Sequence, residues 1–175
     1  MSMKRNNIPY RQDLLYHLST LPKNIVSFYN QDNITEFVLH DLCNKNCFNI
    51  EKAAYFVDSP DFDHCKGIAG FYQKELCPLN DIWADPCGFS EYMKSAAFNN
   101  QVRSIVRPSV KKNGEHWKTT AFSLANELAI QEPSLYIFDL KHDNHGIFLC
   151  NKLDDEYDQD DMRNWLTVLG LCPIN

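Results

Sequence analysis

Two pairs of apolar, aromatic-rich runs, each pair separated by a short polar stretch, constrain the fold more than any other sequence feature. The first pair covers 50–57 and 67–72, and the second covers 134–140 and 146–151. Runs of this length that are bounded by turn residues are typical of strands, and their short separations are typical of β-hairpins. Helical patterns lie around them without evident β-α-β crossovers. We therefore predict an α+β fold in which a mainly antiparallel sheet has flanking helices.

Several segments carry the apolar spacing or the capping residues of helices. They are a short helix from Pro9 that ends at Leu21-Pro22, helices over 33–43 and from Ser90 through Phe98, a helix from Trp117 to Glu132, and a last helix that stops at Gly170. Between the first two, residues 24–29 are rich in β-branched and aromatic side chains, which predicts a further strand.

Two segments hold helix breakers and polar residues, and we predict loops for both. Residues 78–88 favour an irregular surface loop anchored by Trp83. The polar and basic residues 108–114 favour a mobile connection. The aromatic residues Trp83, Phe89 and Tyr92 are candidates to line a pocket or a partner surface, with burial in the core as the alternative.

Length and composition are those of an ordinary globular chain. The sequence has 175 residues, of which 44% are hydrophobic and 23% are charged, and a chain of this length can bury one sizeable core. We expect one domain over 1–175. Its seven cysteines, an odd number, follow a start without the apolar run of a signal peptide, and no segment approaches the roughly 18 apolar residues of a membrane span. These features predict a cytoplasmic protein with reduced thiols and no membrane partner.

The formal net charge of −6 arises in one segment. Six acidic residues fall within Asp154–Asp161, and the remaining acidic and basic residues balance. This acidic segment is a candidate surface for a protein partner, and a solvated face is the alternative. The one basic stretch contains Arg103, Arg107, Lys111, Lys112 and Lys118. With so few cations, nucleic-acid binding is disfavoured.

The polar loop of the second hairpin is the first candidate site. His142 and His145 have His-x-x-His spacing, and neutral imidazoles bind divalent metal ions, zinc foremost. Two ligands do not suffice, so further donors must come from elsewhere. The candidate donors follow the first strand of the other hairpin and are Asp61, Asp63, His64 and Cys65, of which Asp61 and His64 are the predicted ligands.

A general base would accompany such a metal ion, and Asp143 and Asp63 are the candidate catalytic residues. We expect the two loops to meet at one end of the sheet if this hypothesis holds. The alternative is that these residues only form turns, because Asp, Asn and Gly are common in hairpin turns for conformational reasons.

The cysteines offer weaker candidates. Cys43 and Cys47 are four residues apart, but a structural zinc site normally needs two close pairs. Cys65 is a candidate nucleophile for which His142 or His145 would serve as base. Burial in the core is the alternative for each thiol.

The sequence contains no nucleophile elbow, phosphate-binding loop or dinucleotide motif, which disfavours the enzyme classes that depend on them. The candidate residues leave two functional hypotheses. The first is a small metal-assisted hydrolase with its site in the His-x-x-His loop. The second is a non-catalytic protein-interaction module that uses the acidic segment or the aromatic residues around Trp83. Whether the chain is an enzyme stays open at this point.

Overall fold

The structure is a computed structural model that describes residues 8–151, 153 and 159–173, with the backbone alone for 8–11 and 13. Within these residues, five strands form one antiparallel sheet in the order β3-β2-β1-β5-β4. The strands are β1 Lys52–Ser59, β2 His64–Tyr72, β3 Val106–Arg107, β4 Pro133–Asp139 and β5 His145–Asn151. Both predicted hairpins and the predicted α+β fold are confirmed.

Helices flank the sheet. They are α1 Ile8–Ser27, α2 Ile34–Cys43, α3 Pro86–Ser95, α4 Ala97–Ser104, α5 Trp117–Glu127 and α6 Gln159–Leu166. Short 3-10 helices occur at Pro60–Phe62, Gln73–Glu75, Lys141–Asp143 and Thr167–Leu171. The described part of the chain contains no helix with both the length and the apolar character needed to cross a membrane. Most of the acidic segment, residues 154–158, lies outside the described residues.

Alternate side chains of β1 enter two different cores, as the two-residue period of a strand requires. Tyr55 and Val57 belong to a core that includes buried residues of α1, α2 and α6. Ala54 and Phe56 belong to a second core that includes buried residues of α4 and α5. The central strand is therefore covered on both faces, which explains its nearly continuous burial.

The predicted strand over 24–29 is wrong, because helix α1 continues through Pro22 to Ser27. Leu18, Leu21 and Ile25 are all buried, and their spacing of three and four residues places them on one helical face. A proline inside a helix costs about 3 kcal/mol. Burial of this apolar face outweighs that cost and the β-branched character of the segment.

The helix predicted from Ser90 begins earlier and is divided. Asp85 is the actual N-cap, since its carboxylate accepts a hydrogen bond from the Gly88 amide at 2.9 Å. Ala96 is extended and separates α3 from α4. The helices predicted at 33–43 and at the end of the acidic segment are confirmed. The helix predicted over 117–132 is confirmed from Trp117, but it ends at Glu127, five residues before the predicted end.

Two glycines in β2 permit close packing of α4. A side-chain Cβ at Gly67 would lie 1.9 Å from the backbone oxygen of Val102, and one at Gly70 would lie 2.8 Å from the Val102 side chain. The register of β1 and β2 shifts between Tyr55 and Phe56, which is the signature of a β-bulge. Because α4 approaches β2 so closely at Gly67 and Gly70, glycine at these two positions is a packing requirement of the second core.

Candidate functional site

The two loops that carry the predicted site residues lie at the same end of the sheet. Asp58, near the end of β1, is paired with Cys65 of β2 on one side and with His145 of β5 on the other. The turn after β1 and the loop before β5 therefore flank the same central strand.

A third segment, the loop 108–114, closes this end of the sheet through Asp58. The Asp58 carboxylate accepts hydrogen bonds from the Ser109 hydroxyl at 3.0 Å and from the amides of Val110 and Lys111 at 2.8 and 3.3 Å. Asp58 is completely buried, and a buried carboxylate is tolerated only when such donors surround it. The loop predicted as a mobile connection is thus attached to the end of the central strand β1.

Asp58 lies directly after the predicted strand run 50–57, in the polar stretch that is predicted to form the turn. The strand in fact continues through Asp58 to Ser59. An acidic residue directly after an uninterrupted apolar run is a sequence pattern that could have indicated a buried acceptor. Its partners lie more than 50 residues away in the sequence, and nothing local identifies them.

Asp63, one of the predicted catalytic residues, is also held by the loop 108–114. Its carboxylate accepts hydrogen bonds from the Asn113 side chain at 3.1 Å and the Ser109 amide at 3.3 Å, and lies 3.4 Å from the Lys112 ammonium group. Desolvation alone would raise the pKa of Asp63. The hydrogen bond from Asn113 and the charge of Lys112 outweigh it and hold the pKa below its ordinary value.

Asp143, the other predicted catalytic residue, is paired with Lys111. The Lys111 Nζ donates to Asp143 Oδ1 at 2.6 Å. This hydrogen bond and the accompanying charge lower the pKa of Asp143. A carboxylate with a lowered pKa is a weaker base, so the lysine pairs reduce the basicity of Asp63 and Asp143, and a catalytic role for either stays a prediction.

The predicted metal ligands do not converge in the described structure. His145 Nε2 lies 3.4 Å from Asp139 Oδ1, its ring lies 5.5 Å from that of Trp117, and its Nδ1 is buried without a partner. His64 lies beside the ring of Phe62 at 6.1 Å. Across the described residues, no group of three His, Cys, Asp or Glu side chains is arranged to hold a metal ion.

The other two predicted ligands lie on exposed turns. Asp61 is in the 3-10 turn after β1, and His142 has a left-handed backbone with φ of 60° in the loop before β5. Both side chains are exposed. The fold therefore places these loops side by side, and zinc binding there stays a prediction.

The basic stretch is largely neutralised by acidic partners. Besides Lys111 and Lys112, Arg103 pairs with Glu36 at 2.9 Å, and Arg107 pairs with Glu127. Arg107 also lines a cleft of about 360 Å³ together with Glu115 and His116. Among the cations of the basic stretch, these pairs leave little unpaired positive charge for a nucleic-acid backbone.

All seven cysteines are free thiols. Burial, reinforced by the charge of Asp58, raises the pKa of the Cys65 thiol to about 12. Burial also raises the pKa values of Cys43 and Cys47. A thiolate is required for nucleophilic attack or metal ligation, so the surroundings of these thiols favour a packing role.

The aromatic residues around Trp83 do not form an open binding surface. Trp83 packs against Phe28 and Phe37, with ring centroids 5.5 and 5.0 Å apart, and its indole nitrogen donates to Asp41 at 2.6 Å. Phe89 is completely buried. The predicted anchoring role of Trp83 is confirmed. The Tyr92 hydroxyl donates to the Glu75 carbonyl oxygen at 2.9 Å, so each of the three candidate aromatic residues has a partner within the fold.

No protein-family model matches this chain, and no significant match occurs among curated proteins or solved structures. The class of protein is defined by the fold and the site alone. It is an α+β protein in which three loops are joined by carboxylates at one end of an antiparallel sheet.

Proposed function

We propose that this chain is a non-catalytic protein-interaction module that binds its partner through the end of the sheet. The sheet-end surface consists of Phe62 together with the ion pairs Asp63–Lys112 and Asp143–Lys111. The single observation that carries the proposal is the position of Phe62, which is 77% exposed at the tip of the β1–β2 turn. An aromatic anchor surrounded by polar groups is the usual composition of an interaction hot spot.

The turn that presents Phe62 is held by its neighbours. The 3-10 turn Pro60–Phe62 ends at Asp63, whose backbone is left-handed with φ of 50°. The Asp63 side chain is bonded to Ser109 and Asn113, and the loop carrying those residues is bonded to Asp58. An anchor that is already ordered loses less conformational entropy on binding.

The charges of the sheet-end surface fit binding better than catalysis. The carboxylates of Asp63 and Asp143 already have lysine partners, and the pKa of each is lowered. Exposed ion pairs around an apolar anchor contribute orientation and selectivity at an interface more than affinity.

Replacing the anchor tests the proposal. Immobilised wild-type protein, Phe62→Ala and Phe122→Ala are compared for the proteins that they retain from a cell extract, with quantitative mass spectrometry as readout. Phe122 is the matched control, because it is a phenylalanine 56% exposed on α5. We expect at least one protein to be lost with Phe62→Ala and kept with Phe122→Ala. Identical sets for wild type and Phe62→Ala would refute the proposal.

A metal-assisted hydrolase is the second candidate function. It is favoured by the shared position of the two loops at the end of the sheet and by the buried, unpartnered Nδ1 of His145. Elemental analysis of protein purified without chelator tests it. A near-stoichiometric transition metal that is lost in His142→Ala and His145→Ala, with unchanged circular dichroism, would support this function. Metal retained in both variants would contradict the assigned ligands.

A further inference from the structure

The two edges of the sheet are unlike each other. The β3 edge has only two residues, one of which is Arg107. The β4 edge has seven residues, pairs with β5 in a continuous register without a bulge, and carries a single charge at Asp139. Proteins usually protect an edge of this length with charged residues, prolines, bulges or a covering element. Among the described residues, β4 has such features only at its two ends, Pro133 and Asp139, and the segment between them carries no charge, proline or bulge.

The hydrogen-bonding direction of β4 follows from the loop beside it. The Leu140 amide donates to the Asn144 oxygen at 2.9 Å, so these two opposed residues occupy a hydrogen-bonded position. Such positions alternate along an antiparallel ladder. Ser134, Tyr136 and Phe138 therefore bond to β5, whereas the residues between them direct their backbone groups outward.

The outward residues are Leu135, Ile137 and Asp139. No backbone hydrogen bond joins them to a described residue beyond the β4–β5 ladder. Leu135 and Ile137 also keep their side chains partly exposed, although Leu135 packs against the second core. The edge therefore offers unpaired backbone groups and incompletely buried apolar side chains along the same strand.

We propose that this edge pairs with β4 of a second copy of the chain, antiparallel about a two-fold axis at Tyr136. This register pairs the strand over its full length. Leu135 then lies opposite Ile137 of the second copy, so each partly exposed apolar side chain gains an apolar neighbour. Asp139 lies opposite Pro133, and no charge faces a like charge.

Self-pairing also agrees with the position of the proline. Pro133 cannot donate a hydrogen bond, but at the end of the strand it removes one donor and leaves the donors of Leu135 and Ile137 in place. At the axis, Tyr136 is opposite its own copy, and cross-strand aromatic pairs stabilise sheets. The result is one continuous ten-stranded sheet with an interface that uses the same residues on both copies.

The experiment compares the molar masses of wild type, Ile137→Pro and Ile137→Val by light scattering after size exclusion over a range of concentrations. Proline removes the outward amide of Ile137 without removing a bond to β5, whereas valine keeps that amide and is the matched control. We expect wild type and Ile137→Val to reach the mass of two chains. Ile137→Pro should show a twofold lower mass with an unchanged circular dichroism spectrum.

Amide hydrogen exchange of the wild type keeps the test independent of how the proline variant folds. The amides of Leu135 and Ile137 should exchange more slowly as concentration rises, while those of Tyr136 and Phe138 are protected at every concentration. A wild-type protein that stays monomeric, or a dimer whose Leu135 and Ile137 amides remain unprotected, would overturn the proposal.

Discussion

Asp58 at the end of the sheet is completely buried and Asp41 on α2 is half-buried, and the fold surrounds the two carboxylates differently. Asp58 accepts hydrogen bonds from one hydroxyl and two backbone amides. Asp41 accepts one, from the indole of Trp83. Burial raises the pKa of Asp41 to about 6, against the lowering effects of the Trp83 bond and of His17.

The comparison shows that the number of donors decides the role of a buried carboxylate. Three donors from one loop make Asp58 the attachment point of 108–114, and this role is structural. A single donor leaves Asp41 with a desolvation cost that is not fully compensated, and the nearby charge of Asp81 adds to it. Asp41 is therefore a carboxylate whose pKa lies well above the ordinary range of aspartate, at about 6.

The largest effect is expected from removing the Asp58 carboxylate. Asp58→Ala leaves the Ser109 hydroxyl and the amides of Val110 and Lys111 without their acceptor, and unsatisfied buried donors are costly. We expect the free energy of unfolding to fall by about 3 kcal/mol, measured by urea denaturation.

Asp58→Asn is the control for this prediction. It keeps the size of the side chain and one acceptor oxygen, so its loss should be clearly smaller than that of Asp58→Ala. Equal stability of Asp58→Ala and the wild type would show that the loop is held by other contacts.

A pH-dependent effect is expected at Asp41. Because the pKa is about 6 in the folded state and 3.8 in the reference state, the folded state binds more protons between these values. Stability contributed by this group is therefore present below pH 3.8 and is lost as pH rises towards 6. The difference of about 2.2 between these two pKa values corresponds to a loss of about 3 kcal/mol at neutral pH.

Asp41→Asn isolates this contribution, since asparagine does not titrate and can still accept from Trp83. We expect the variant to exceed the wild type in stability at pH 7, and this advantage to vanish by pH 4, as measured by urea denaturation at each pH. A difference between the two proteins that does not change with pH would contradict the assignment of the titration to Asp41.

The sequence patterns predict the sheet better than the site, for physical reasons that individual residues illustrate. The hairpins depend on local apolar runs and turn residues, and both were predicted. The strand predicted over 24–29 was wrong because Ile25 lies four residues after Leu21, so a helix buries both side chains on one face. This tertiary burial overrides the local β propensity of the segment.

The site depends on contacts that sequence spacing does not contain. The common position of the two loops followed from the hairpins, so their proximity could be expected. The lysine partners of Asp63 and Asp143 could not, because Lys112 and Lys111 come from a loop 49 and 32 residues away in the sequence. The same carboxylates that suggested a catalytic base are paired with cations by the fold.

The smallest effect on stability is expected from breaking the exposed ion pair between Lys111 and Asp143. The contrast is with the buried carboxylate of Asp58, whose loss is expected to have the largest effect. Lys111→Ala should leave the urea midpoint nearly unchanged, because exposed ion pairs contribute little. It should nevertheless raise the pKa of Asp143 towards its ordinary value, since Lys111 supplies the main lowering effect. Carboxyl chemical shifts followed by NMR across an acid titration measure this change.

Lys112→Ala is the matched control, because Lys112 pairs with Asp63. Its loss should move the pKa of Asp63 and leave that of Asp143 in place. If neither variant moved its own carboxylate, the lysines would be solvated and the sheet end would present free negative charge to a partner.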